Sequence, residues 1–417
     1  MNEVRNVLVG FVLGQNESQI SYYDRRAGEP VQVPTKLGTN LFGFPTALAK
    51  VPGKDEWHFG HEAALAAKEK GAELIPSLYQ RWCGEEPVTV DGEEHTPGNL
   101  LAIYLRRSLA LLGLRDILRS ISFMMFTTEV LSEGFVRNLR AALKEIGFSQ
   151  EQCGMQDFKE SFYYYTYHQT EDFFQANVAL FLFERDRVVP LILSEDRQVR
   201  PRAVTIVQGP GTELPEEKTA RDEAFLACAK AVFLERKVSG VFLSGEGFDQ
   251  DWAERSLPFL LGARRRVFYG DNLFVKGACY AAVERKEQRS FRNRQYMSEA
   301  TVRTGVGMDL LLSGSPSYYP MINSGINWFE AEASCEILLD GRDFLLFSLR
   351  SMDGKKRTSR QMDLPGLPAR PGFITRLRLR LRCLSPEICE VTAEDLGFGG
   401  FFPATHKVWR EELELAP

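Results

Sequence analysis

From Thr375 to Arg382 the chain alternates without a break: Thr-Arg-Leu-Arg-Leu-Arg-Leu-Arg. Side chains of an extended strand point to opposite faces in turn, whereas a helix would scatter these residues around its circumference. The segment must be a strand with leucines on one face and arginines on the other. Period-two alternation continues around it. Phe329 to Leu339 and Phe344 to Leu349 read as strands paired around Asp340-Gly341. Helix signals fade after about residue 300, so residues 301–417 are expected to form a separate all-β, sandwich-like domain. Its boundary is expected between 290 and 312, in the polar stretch Lys286 to Thr304. Arg376, Arg378, Arg380 and Arg382 lie on one strand face and are candidate partner-binding residues for an acidic partner. The competing expectation is a solvated outer face with carboxylates on adjacent strands.

The chain before residue 300 reads differently. Val7 to Leu13 is an apolar run, Gln19 to Tyr23 its expected hairpin partner, and Gly14 to Ser18 has turn composition. Pro45 to Val51 is a third extended stretch, and Gly60 opens a helix over 61–68. Residues 97–119 are expected to be helical, with Leu100, Leu101, Tyr104, Leu105, Leu109 and Leu112 at intervals of three and four. A buried strand from Ile121 to Phe126 precedes an amphipathic helix from Glu133 to Ile146, ending at Gly147. The tyrosines of Phe158 to His168 read as core aromatics, with an aromatic ligand platform as the alternative. Asn177 to Leu193 reads as a hairpin with a charged tip, Glu184 to Arg187. Then come a helix over roughly 216–235, a strand Gly240 to Leu243, a helix near 249–261, a strand Arg266 to Phe268 and an apolar helix from Leu273. Alternating strands and helices argue for an α/β architecture, and 417 residues for more than one domain.

Composition excludes several classes. With 51 basic and 56 acidic residues the formal charge is -5, which disfavours a general nucleic-acid binder. No apolar run approaches the roughly 20 residues that span a bilayer, and Met1 to Arg5 opens no signal peptide. The seven cysteines form no CxxC pair, so free thiols and a cytoplasmic location are expected. His58, His61 and His95 fit no metal spacing, and no GxSxG is present. Arg264 to Arg266 reads as a helix C-terminal cluster. No metal ligands are expected.

Taken together, several segments resemble the actin/Hsp70 ATPase superfamily, Hsp70 in particular, in a bacterial branch. Gly10 to Ser18 is similar to the first phosphate loop, G-I-D-L-G-T-T-N-S. Phe44 to Leu48 resembles T-P-S-x-V, and Asp157 to Ser161 lies where I-N-E-P-T is expected. Val241 to Gly247 resembles the adenosine-site V-L-V-G-G-S, and Asp271 to Ala278 resembles D-x-x-x-V-A-x-G-A some 25 residues on. Ile388 to Asp395 resembles G-I-L-x-V-S-A-x-D of the substrate-binding β-domain.

The resemblance implies a duplicated ribonuclease H-like domain over 1–300, with lobes at about 1–170 and 171–300 and a reduced subdomain IIB. A β-domain without the helical lid follows over 301–417. It implies cofactor-binding positions at Gly10, Gly14, Ser18, Gly245, Gly247 and Gly277. The chemistry departs from the pattern. Val12 stands where the metal-linked Asp belongs, Leu182 to Arg187 replaces the glycine-rich second loop, Gln80 falls near the catalytic Lys, and Glu246 brings negative charge to the adenosine loop. Glycines and an acidic residue are needed there so that backbone N–H groups approach phosphates and Mg²⁺ is held. The expectation is therefore a pseudo-ATPase without bound cofactor that holds a protein or peptide partner and neither nucleic acid nor membrane. Glu160 and Asp186 are the catalytic candidates. The alternative is a nucleotide-dependent chaperone in which Glu17, Glu184 or Asp186 takes over the metal in an altered ATP/Mg²⁺ site.

Overall fold

A computed structural model describes residues 6–415 except 37, 199, 289 and 292. The chain divides into two compact units between Tyr296 and Met297.

The first unit repeats one pattern of strands. β1 (Val7–Leu13), β2 (Glu17–Asp24) and β3 (Glu29–Gln32) form an antiparallel meander, and β4 (Ile121–Thr128) and β5 (Cys153–Asp157) add in parallel on the other side of β1. The sheet order is β5-β4-β1-β2-β3. β6 (Asn177–Phe183), β7 (Arg187–Asp196), β8 (Arg202–Gln208), β9 (Val238–Ser244) and β10 (Arg266–Tyr269) do the same, in the order β10-β9-β6-β7-β8. The senses repeat too: β6–β7 and β7–β8 are antiparallel, β6–β9 and β9–β10 parallel.

The helices fall between these strands. They are α1 (His61–Lys70), α2 (Pro97–Leu109), α3 (Glu133–Ile146), α4 (Phe158–Tyr167), α5 (Lys218–Glu235), α6 (Ser256–Leu261) and α7 (Leu273–Val283). Local chemistry sets the ends of α3. The Phe135 N–H donates to Ser132 Oγ at 3.2 Å, and Gly147 stops the helix at φ +107°.

Three expectations for the first unit are corrected. The helix over 97–119 ends at Leu109; a 3-10 turn and Gly113 at φ +64° follow. The stretch Pro45 to Val51 breaks at Thr46, whose hydroxyl donates to Gly14 O at 2.8 Å. The helix near 249–261 begins only at Ser256. Its first N–H groups are capped from α5, where the Asp222 carboxylate accepts from Arg255 and Ser256 N–H at 2.7 and 3.0 Å. That cap comes from tertiary structure and leaves no mark in the local sequence.

The two repeats exchange their last helices. α7 lies on the first sheet, where Ala278, Ala281 and Ala282 pack with Leu8, Phe123 and Met125. α4 lies on the second, where Phe162, Tyr163 and Tyr167 pack with Val178, Leu180 and Leu193. The lobe boundary near 170 thus separates the repeats in sequence while the cores interleave. Where α4 and α7 cross, Phe158 and Phe274 stack at 4.3 Å.

The second unit has two four-stranded sheets over one core. One contains β11 (Thr304–Leu312), β12 (Ser315–Ile322), β14 (Phe344–Ser351) and β15 (Arg357–Asp363), in the order β12-β11-β14-β15. The other contains β13 (Glu332–Leu339), β16 (Thr375–Cys383), β17 (Ile388–Asp395) and β18 (Val408–Glu414), in that order. Val306, Phe347 and Leu349 of one meet Leu377, Leu379, Leu381 and Val391 of the other. The expected pairing around Asp340-Gly341 is overturned. β13 pairs with β16, and β14 pairs with β11 and β15. Gly341, at φ +88°, lies in the link that carries the chain from one sheet to the other. Among the described residues no helix is long and apolar enough to cross a membrane.

Candidate functional site

The turns β1–β2 and β6–β7 occupy the same place in the two repeats, and the loop after β9 lies beside the second. These segments hold most of the candidate residues.

The first turn is filled from within. A Cβ on Gly10 would fall 2.4 Å from Cys279 N and 2.5 Å from Val275 O, so this glycine admits the backbone of α7. A Cβ on Gly14 would fall 2.4 Å from Glu17 O, inside the turn itself. Ser18 is buried, with its hydroxyl 3.0 Å from Thr46 Oγ1. The Glu17 carboxylate rests against Gly43, where a Cβ would lie 2.1 Å from its Cδ. Val12 is a core side chain. Gly277 faces Ser161, whose carbonyl oxygen would lie 2.0 Å from an added Cβ; it serves the α4–α7 crossing.

The second turn and the loop after β9 are in backbone contact. A Cβ on Gly245, which sits at φ +108°, would fall 2.1 Å from Phe183 O, and one on Gly247 would fall 1.9 Å from Glu184 O. Arg221 of α5 ties them together. Its guanidinium donates to Arg185 O at 2.7 Å, Gly247 O at 3.0 Å, Pro215 O at 3.2 Å and Leu214 O at 3.4 Å. It stands over the Trp252 ring, 5.2 Å from its centroid. Carbonyl dipoles and an aromatic face thus hold a nearly buried cation.

An open cavity of about 900 Å³ adjoins this knot. Asp186, Glu216, Lys218, Glu246 and Trp252 are among its lining residues. Asp186 is exposed there on the β6–β7 turn. Glu160 is elsewhere: it is buried in the first turn of α4, with its N–H donating to Asp157 Oδ1 at 2.7 Å, and does not line this cavity. Among the described residues no cluster of three or more His, Cys, Asp or Glu side chains is arranged to hold a metal ion.

Glu129 follows the C-terminal end of β4. Partial desolvation and the negative charge of Glu184 push its carboxyl above the ordinary carboxylate range. The sequence reading missed Glu129 and Arg221. A glutamate just past an apolar strand was a signal for the first, because ligand sites of α/β sheets gather at strand C-termini. Nothing in the local sequence marks Arg221.

Other candidates take structural places. The tyrosines of α4 belong to the core, and burial drives the Tyr163 hydroxyl far above its usual range. Arg265 donates to Leu260 O at 2.9 Å at the end of α6. His58 pairs with Glu56 at 2.8 Å and His95 with Asn99 at 2.8 Å. Burial pushes the Cys279 thiol up to about 12, so it carries no thiolate at neutral pH.

In the second unit the arginine row points outward, opposite Leu377, Leu379 and Leu381. Carboxylates of the neighbouring strands meet three of its members. Arg378 reaches Glu336 at 3.0 Å and Glu394 at 3.5 Å, Arg382 reaches Glu390 at 3.3 Å, and Arg376 reaches Glu336 at 3.8 Å. Arg380 is exposed, and among the described residues it forms no ion pair.

Residues 29–299 match the C-terminal model of a family of unknown function, DUF5716. The chain belongs to this family. In this DUF5716 chain, residues 301–415 match a domain of unknown function, DUF8552, and the two matches meet close to the Tyr296–Met297 division. No curated protein matches it.

Proposed function

We propose that this chain is an actin/Hsp70-like pseudo-ATPase, a scaffold or chaperone-like module that holds a protein partner without standard ATP hydrolysis. The observation that carries this reading is the knot around Arg221. Phe183 and Glu184 lie in backbone contact with Gly245 and Gly247, and one guanidinium binds both segments. By the resemblance these are the second phosphate loop and the adenosine loop, between which a nucleotide needs room. Support for the fold comes from the two sheets, β5-β4-β1-β2-β3 and β10-β9-β6-β7-β8, which repeat one order and one set of senses. The β-unit after residue 296 fits the place of a substrate-binding domain. Seven unpaired thiols agree with a cytoplasmic location.

Isothermal titration of the full chain with ATP and Mg²⁺ tests the reading. The expected result is no binding heat. Micromolar binding overturns it and favours the second reading, a nucleotide-dependent chaperone with an unusual site. One observation favours that alternative: the negative charge of Glu184 reaches the Glu129 carboxyl, and Asp186 and Glu246 line an open cavity. Such carboxylates suit a divalent cation carried in with phosphates.

A further inference from the structure

The outer face of the sheet β13-β16-β17-β18 is ordered in rows across the strands. Glu336, Arg378 and Glu394 form one row, and Glu332, Arg382 and Glu390 another. Each sets an arginine between two carboxylates, so its charge is spent within the fold. The row between them breaks the rule: Arg380 lies directly across from Ser334 on one side and Thr392 on the other.

Hydroxyls cannot neutralise a guanidinium. Neither Ser334 nor Thr392 forms a side-chain hydrogen bond to another described residue, although Thr392 is half-buried. Beyond Thr392, Arg410 turns aside to pair with Glu390. One forked cation and two donor hydroxyls thus share a line and point the same way from a rigid sheet. A groove of about 510 Å³ runs over them, with Glu332, Ser334, Arg380, Arg382, Glu390 and Thr392 among its lining residues. A carboxylate complements this set: it accepts two parallel N–H bonds from a guanidinium and further bonds from hydroxyls, and both kinds strengthen when the acceptor is charged.

We propose that this groove binds an acidic segment of a partner protein, with one Glu or Asp carboxylate seated on Arg380 between Ser334 and Thr392. The flanking Glu–Arg pairs set the register. They tolerate a single inserted negative charge and repel a second one placed over Glu332, Glu336, Glu390 or Glu394, so the preferred segment has an isolated acidic residue among polar ones. This inference rests on the scaffold reading and names the chemistry of its partner site. The ATP titration judges that reading separately, so either can fail alone.

The test is fluorescence anisotropy of the full chain with a labelled peptide carrying one central glutamate among serines, at low salt. The same peptide with glutamine is the control. The glutamate peptide should bind at least about tenfold tighter than the glutamine one. Arg380→Ala should abolish that difference, and the Ser334→Ala/Thr392→Ala pair should reduce it severalfold. Arg119→Ala, which removes an equal charge from the other unit, should leave it unchanged. Arg380 has no ion-pair partner among the described residues, so thermal melting of the variants should match the parent. Equal binding of the two peptides, no binding at all, or a preference that survives Arg380→Ala overturns the proposal. So does displacement of the peptide by stoichiometric inorganic phosphate, which marks a small-anion site. Self-association lost in Arg380→Ala also overturns it, because the occupant is then a second copy.

Discussion

The Arg370 guanidinium and the Asp395 carboxylate meet in two parallel hydrogen bonds of 2.6 and 2.8 Å, with 3% and 0% of the two side chains exposed. Asp395 also accepts from Gly397 N–H, Thr405 N–H and the Thr405 hydroxyl, and Arg370 donates to Pro403 O. One ionic centre therefore pins the segment before β16 to the loop between β17 and β18. Arg370→Ala leaves a buried carboxylate without its counter-charge. The expected loss is about 3–5 kcal/mol of stability, read by urea unfolding. Loss below about 1 kcal/mol would show that the centre contributes little.

The same pair gives a pH dependence. Hydrogen bonding to Arg370 holds the Asp395 carboxyl far below the usual carboxylate range. An acid whose folded value is depressed contributes stability that is fully present above its unfolded value, about 3.9, and lost as pH falls below it. The parent should therefore lose stability between about pH 5 and 2 more steeply than Asp395→Asn does. Parallel melting curves in acid would refute the assignment.

Gly277→Ala should destabilise, against the ordinary helix preference. Alanine in a helix interior normally gains about 1 kcal/mol over glycine. Here the new methyl would lie 2.0 Å from the Ser161 carbonyl oxygen, so α4 and α7 must separate. A net loss of about 1–3 kcal/mol is expected, with faster amide exchange in both helices.

Arg221→Met keeps the contact with Trp252 and removes the donors to four carbonyls. Hydrogen exchange should quicken at 183–187 and 245–248, with a loss of about 1–3 kcal/mol. Unchanged exchange in both segments would show that glycine packing alone holds them.

Glu129→Gln probes the carboxyl just past β4. The Glu129 carboxyl is held up by partial desolvation and by Glu184. A raised acid binds its proton more tightly when folded, so the parent loses stability as pH rises above the unfolded value, about 4.3. The glutamine variant should be the more stable at pH 7 and equal to the parent near pH 3. A variant less stable at pH 7 would show that the carboxylate is held by favourable contacts.

What the sequence determined by itself is local. The alternation at Thr375–Arg382 requires a strand with one leucine face, because side-chain direction repeats every two residues whatever surrounds it. Ser132 and Gly147 bracket α3 for the same reason: a cap acts on neighbours a few residues away. The hairpin tip at Glu184–Arg187 was legible in its charge.

Partnership was decided by tertiary structure. β13 and β14 read as a hairpin and lie in different sheets, because both present apolar faces to a shared core. Gly10 and Gly277 read as ligand-approach glycines and admit backbone, and nothing in one sequence says whether a phosphate or a helix comes close. Arg376, Arg378, Arg380 and Arg382 read as equivalent, and the register of β13 and β17 set Arg380 apart. Register, helix exchange and the Arg221 knot join residues tens to hundreds of positions apart, and pairing over such separations is fixed by packing the whole chain, not by any segment's own preference.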